Sequence, residues 1–143
     1  MSQQIQIPLK PGWVEEVDPS ASQVRTFCRN PTRSGPLQMS WWSAADSGVI
    51  TDNSLLPGIA ATFGEEQFGC GEPLAVTAGN CRFGAYGNAT FSAPPEHSYA
   101  EIWVLYNGEG FLLVTYMSAE TPDPVELDEV REMVLQIVRP TAN

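Results

Sequence analysis

The segment from Tyr99 to Met117 constrains the fold more than any other part of the chain. Ile102, Val104 and Tyr106 alternate with Glu101, Trp103 and Leu105; after Asn107-Gly108-Glu109-Gly110 a second apolar run, Phe111-Leu112-Leu113-Val114-Thr115-Tyr116-Met117, follows. Asn-Gly tolerates the positive φ angles of a tight turn, so the two runs pair as an antiparallel hairpin. Both are apolar on both faces, which places them at the centre of a sheet covered on each side. An isolated hairpin is barely stable in water, so the chain must supply strands beside it and cover above and below.

The rest of the chain provides them. Ile5, Ile7 and Leu9 share one face of a predicted strand, which Pro11-Gly12-Trp13 breaks, and a polar turn follows at Asp18-Pro19-Ser20. Val24 to Arg29 reads as a second strand, with Val24, Thr26 and Cys28 on one face and Arg25, Phe27 and Arg29 on the other. Arg29 to Pro36 is a turn-rich loop, and Leu37 to Trp42 alternates as a third strand. A helix is predicted from Asn53 or Ser54, capped by Asp52-Asn53-Ser54, with Leu55, Ile59 and Phe63 on its apolar side and Gly64, Gly69 and Gly71 bounding its end. Two strands near Leu74–Thr77 and Arg82–Phe91 are linked by Ala78-Gly79-Asn80, and Gly84 and Gly87 mark a bulge or a close approach of backbone. The last element is a helix to Val138. Asp123 caps it, Pro124 opens it and Glu126 bonds back, while Leu127, Val130, Met133, Val134, Ile137 and Val138 form its apolar stripe. Glu126, Asp128 and Glu129 suit the positive end of its dipole and Arg139 the negative end.

Strands, a helix, more strands and a helix make an α+β order. The expectation is a three-layer α/β/α sandwich around a mostly antiparallel sheet of about six strands. No linker, repeat or composition shift divides the chain, so residues 1–143 read as a single domain.

On these residues the chain resembles the PsbP-like superfamily. The shared features are the early strand at Ile7-Pro8 running into Pro11-Gly12-Trp13 and the apolar hairpin through Asn107-Gly108. To these are added the polar turn at Thr121-Pro122-Asp123, the amphipathic helix to Val138 and a middle helix at Ser54–Phe68. The Arg29–Pro36 loop and the Phe63–Gly71 segment have no counterpart in that pattern. The superfamily includes a photosystem extrinsic subunit, a Ran-binding import factor and type VI effector-associated chaperones. The resemblance therefore implies an adaptor that holds a macromolecule without catalysis. It carries over no site residue.

Charge narrows the partners. Seventeen acidic residues against seven basic ones give a net charge of −10, and Lys10 is the only lysine. Such a chain repels phosphate backbones and anionic membranes, so nucleic acid and membrane are not expected partners, and a protein with a basic surface is. The same acidity also serves solubility alone. No run of about 18 apolar residues is present. The first residues lack the basic start and apolar stretch of a signal peptide, so a cytoplasmic location is expected; a secreted protein read without its leader is the alternative. Cys28, Cys70 and Cys81 are odd in number and irregular in spacing, neither a disulfide framework nor a CxxC metal site. In an oxidising compartment Cys70 could pair with Cys81.

The residues give no catalytic constellation. His97, the sole histidine, sits in the Ala93-Pro94-Pro95-Glu96-His97-Ser98 loop with no orienting partner in view. One histidine and three scattered cysteines are poor material for zinc. Gly64-Glu65-Glu66-Gln67-Phe68-Gly69 has the wrong charge to cradle phosphate, and Glu15-Glu16 and Glu65-Glu66 point apart as adjacent residues do. No enzyme, cofactor or metal is therefore expected. The partner-binding candidates are Trp42, Tyr86, Arg25 and Arg29. Strand alternation sends one of the Trp41-Trp42 pair off the face that holds Leu37 and Met39, either into a second core or out as an apolar anchor. Tyr86 is flanked by Ala85 and Gly87. The two arginines share a face with Phe27, where they could bind a partner's carboxylates or make surface ion pairs. Two further readings remain. One is a small-molecule binder or enzyme on a cystatin-like or nuclear-transport-factor-like curved sheet, its pocket lined by Trp41, Trp42, Tyr86 and Trp103. The other is a homodimer that uses one sheet surface for itself.

Overall fold

The structure, a computed structural model, describes residues 5–16, 24–29, 36–43, 53–67, 69–92 and 99–138. Its strands are β1 (Trp13–Glu16), β2 (Val24–Arg29), β3 (Leu37–Ser43), β4 (Ala75–Asn80), β5 (Ala85–Ser92), β6 (Tyr99–Tyr106) and β7 (Gly110–Ser118). Its helices are α1 (Leu56–Gln67), opened by a 3₁₀ turn at Asn53–Leu55, and α2 (Pro124–Leu135). The strands form one seven-stranded sheet in the order β1-β2-β3-β7-β6-β5-β4, every neighbouring pair antiparallel. The α+β class is as expected, and the described residues hold seven strands where about six were expected.

The hairpin sits where its composition demands, with three strands beyond β7 and two beyond β6. Gly108 takes φ +90°, and the Asn107 side-chain oxygen accepts from the N–H groups of Glu109 (2.9 Å) and Gly110 (3.1 Å), locking the turn. Alternation then divides the core. Trp103, Leu105, Leu112, Val114 and Tyr116 cluster with Val130, Met133 and Val134 of α2, together with Leu37 and Phe27. Ala100, Ile102 and Val104 cluster on the other face with Phe91 and with Leu56 and Ala60 of α1. The hydrophobic effect explains why both faces of the central strands are covered.

Several local expectations change. Ile5 to Leu9 does not form a strand: only Gln6 pairs, exchanging backbone bonds of 2.8 and 2.9 Å with Val138. Pro8 and Pro11 lack the N–H that a longer ladder needs. Pro11-Gly12 instead turns the chain into β1, the Trp13 N–H bonding the Lys10 carbonyl at 3.0 Å. The buried stripe of α1 is Leu56, Ala60 and Gly64 rather than Leu55, Ile59 and Phe63; Leu55 is 54% exposed. Small side chains on the inner stripe let the helix lie close to the sheet. Gly87 of β5 is part of the same seat, since a Cβ there would stand 2.2 Å from the Leu56 backbone. Gly64 lies within α1, which runs on to Gln67. The β4–β5 connection falls at residues 81–84 rather than at Ala78-Gly79-Asn80, which belong to β4.

α2 begins as read from the sequence, with Asp123 accepting from the Glu126 N–H at 3.1 Å and Pro124 in the first turn, but it ends at Leu135 so that Val138 can reach Gln6. The Asp18-Pro19-Ser20 turn, most of the Arg29–Pro36 loop, Asp52, Phe68, the loop holding His97, and Arg139 lie outside the described residues.

Candidate functional site

β3 presents Trp41 and Trp42 to opposite faces. Trp41 packs edge-on against Phe83 on the α2 side, ring centroids 6.0 Å apart. Trp42 emerges on the α1 side and stays 51% exposed, its indole N–H donating to Ser40 Oγ at 3.2 Å. Strand register puts Trp42 opposite Phe111 of β7, and Phe111 opposite Tyr106 of β6, so the three rings fall in one row across the sheet. Tyr106 and Phe111 stack with centroids 4.9 Å apart, and Phe63 of α1 meets Trp42 edge-on at 6.3 Å. The row lies beside α1, which packs over β4, β5 and β6. Exposed acids flank these elements: Glu65 and Glu66 on α1, and Glu109 in the turn before Phe111.

The other candidates lie elsewhere. Tyr86 points to the α2 face, half-buried, its ring across Gly79 of β4. Arg25 donates from Nε and Nη2 to the Glu15 carboxylate (2.9 and 3.0 Å) and from Nη1 to the Ile5 carbonyl (2.7 Å), its guanidinium 5.3 Å from the Phe27 ring. This bidentate bond, with the charge behind it, holds the Glu15 carboxyl below its ordinary value against a smaller opposing effect of burial. Arg29 pairs with Glu129 (2.8 Å) and Asp123 (3.6 Å) of the α2 region; the shorter contact lacks the alignment of a hydrogen bond and is Coulombic. Glu129 also accepts from the Trp13 indole at 2.9 Å. Both guanidiniums thus tie β2 to its neighbours, and the four candidates do not converge. Nor do Trp41, Trp42, Tyr86 and Trp103: Trp42 is on one face, the other three on the opposite one, and Trp103 is buried. They cannot line one pocket. A cleft of about 460 Å³ opens between the N-terminal segment and the end of α2, with Arg25 and Arg82 in its walls.

One polar cluster was not singled out from the sequence. Glu101, 2% exposed in β6, accepts from Tyr99 OH (2.6 Å), from Asn88 Nδ2 (3.0 Å) and from Arg131 Nη2 and Nε (3.0 and 3.1 Å). Burial, and next the Glu101 bond, push the Tyr99 hydroxyl far above the usual phenol range. Burial opposes the Arg131 charge, and the bonds and charge of Glu101 more than offset it, so that its pKa rises. The signal was a single carboxylate inside an apolar central strand, a group that must find partners. A second buried acid, Glu126, accepts from Tyr116 OH at 2.6 Å. With its oxygens shared among three donors, the Glu101 carboxylate fastens α2 to the sheet.

Among the described residues no three His, Cys, Asp or Glu side chains gather as metal ligands. Cys70 and Cys81 form no disulfide with each other; Cys70 packs in the α1-side core and Cys81 against the α2-side core, and burial raises the pKa of both. No helix among the described residues is long and apolar enough to cross a membrane.

Comparison with solved structures shows that the fold is PsbP-like. The chain superposes on the solution structure of cyanobacterial PsbP from Synechocystis with a TM-score of 0.58, at 13% identity, covering 94% of this chain and 85% of that one. It also matches a crystal structure from Bacteroides thetaiotaomicron with a TM-score of 0.57 and 11% identity, covering 96% of this chain but only 46% of that one. No family model and no curated protein sequence matches the chain.

Proposed function

We propose that the chain is a non-catalytic adaptor or chaperone-like domain, a single three-layer unit that docks a protein partner on the aromatic row around Trp42. The observation that carries this reading is the half-exposed Trp42 indole, continuous through Phe111 with Tyr106 and braced by Phe63. Large aromatics with a fixed rotamer and a free apolar edge are the residues that dominate binding energy at interfaces. The acids on α1 and in the β6–β7 turn suit a partner with a basic rim, which would also be drawn in by the overall charge of −10. Arg25 and Arg29 then act as internal fasteners, and Tyr86 as part of the opposite core. In this reading Glu101, its carboxylate shared among three side chains, is a structural fastener. A cytoplasmic setting, where thiols stay reduced, belongs to the same reading.

The test is affinity capture at low salt with wild type and Trp42→Ala in parallel. A stoichiometric partner held by wild type and lost by the variant supports the reading. Failure of wild type to hold any partner, or equal capture by both, would overturn it.

A further inference from the structure

We propose that β4 is a self-association edge, through which two copies of this chain pair antiparallel and continue one sheet across a two-fold axis. β4 closes one margin of the sheet: it pairs over six residues with β5 and, among the described residues, with no strand on its outer side. A margin strand directs a row of N–H and C=O groups outward, a template for a further strand, and proteins usually blunt it with charge, proline or a bulge. β4 carries none of these. Its sequence, Ala-Val-Thr-Ala-Gly-Asn, has no charge and no proline, and its register with β5 runs unbroken from Ala75↔Thr90 to Asn80↔Ala85. All its side chains except Gly79's position are exposed, Val76 at 45%. The opposite margin is guarded: β1 is four residues long and carries Glu15 and Glu16.

The occupant that fits is a second copy. In a two-fold pairing β4 meets β4, uncharged against uncharged, so the contact itself holds no repulsion although each chain carries −10. A cationic foreign segment would find no carboxylate on this strand to answer its charge. The surface is separate from the aromatic row on β3, β7 and β6, so the two proposals stand or fall independently.

Sedimentation velocity of the full chain over a range of concentrations tests it, at low and at high salt. The expected result is a monomer–dimer equilibrium that salt shifts toward dimer, because screening reduces the repulsion between two acidic molecules. Val76→Lys should raise the dimer dissociation constant by roughly tenfold or more, since it sets like charges across the axis. That substitution lowers the net negative charge and would otherwise favour association, so the loss isolates the strand. Val125→Lys, an exposed position on α2 with the same charge change, should dimerise at least as well as wild type. Circular dichroism and thermal unfolding check that both variants are folded. A wild type that stays monomeric at every concentration and salt, or a folded Val76→Lys that dimerises like wild type, overturns the proposal.

Discussion

At the scale of single residues, the polar groups inside the α2-side core decide how the closing helix is held. Arg131 is 45% exposed at its side chain, while its partner Glu101 is 3% exposed. Removing one member of a buried ion pair typically costs about 3–5 kcal/mol, because the remaining charge has lost its partner. Here Asn88 and Tyr99 still donate to Glu101, and half of Arg131 already stands in water, so Arg131→Met is expected to cost about 2 kcal/mol in urea unfolding. A loss indistinguishable from zero would show that the two neutral donors suffice. Glu15 is a milder case. Arg25 holds its folded pKa below the ordinary 4.5, so its contribution to stability is complete above that pH and is lost as the pH falls through the lowered value. The pair is solvent-screened, which limits it to under about 1 kcal/mol. Wild type should therefore exceed Glu15→Gln by that small margin at neutral pH, and the gap should close in acid; a gap that widens on acidification contradicts the sign.

At the scale of elements, β3 offers a comparison between adjacent tryptophans. Trp41 packs into the α2-side core and Trp42 lies half in solvent, so Trp41→Ala should destabilise by about 3 kcal/mol and Trp42→Ala by less than about 1 kcal/mol. Thermal unfolding of both variants checks it, and equal losses would mean that the alternation of β3 is misassigned. That alternation was readable from Leu37 to Trp42 alone, as was the hairpin, because Asn107-Gly108 fixes a turn and a turn fixes register. Trp42 was thus accessible to sequence reasoning. Its setting was less so: Phe111 and Tyr106 follow from register, but β3's pairing with β7 is a long-range fact. Phe63 joins the row because the helix sits one residue out of the expected phase. The cause is that Ala60 and Gly64 send little apolar signal, although only small residues fit against the sheet at the distance set by Gly87. β1 was hidden for a related reason, since Pro11-Gly12 looks like an end when it is an entrance. Gly87→Ala tests the seat directly, and a loss of several kcal/mol is expected, because its Cβ would collide with helix backbone that cannot yield locally. A wild-type melting temperature would refute that seat.

At the scale of the whole molecule, charge acts in opposite directions on the two proposed associations. A surplus of ten negative charges attracts a partner with a basic rim, and salt screens that attraction, so heterotypic binding should weaken as ionic strength rises. Two copies of the chain repel each other through the same surplus, so pairing along β4 should strengthen under identical conditions. The sheet supplies both contacts from different places, the aromatic row on one face and the uncharged strand at one margin. Acidification toward the isoelectric point near 4.3 repeats the pattern by removing charge instead of screening it. Sedimentation of the chain alone and with a captured partner, each across a salt series, therefore separates the two associations by the sign of the slope. Complexes that respond to salt in the same direction would mean that the captured partner presents no basic rim, and that part of the reading would have to be withdrawn.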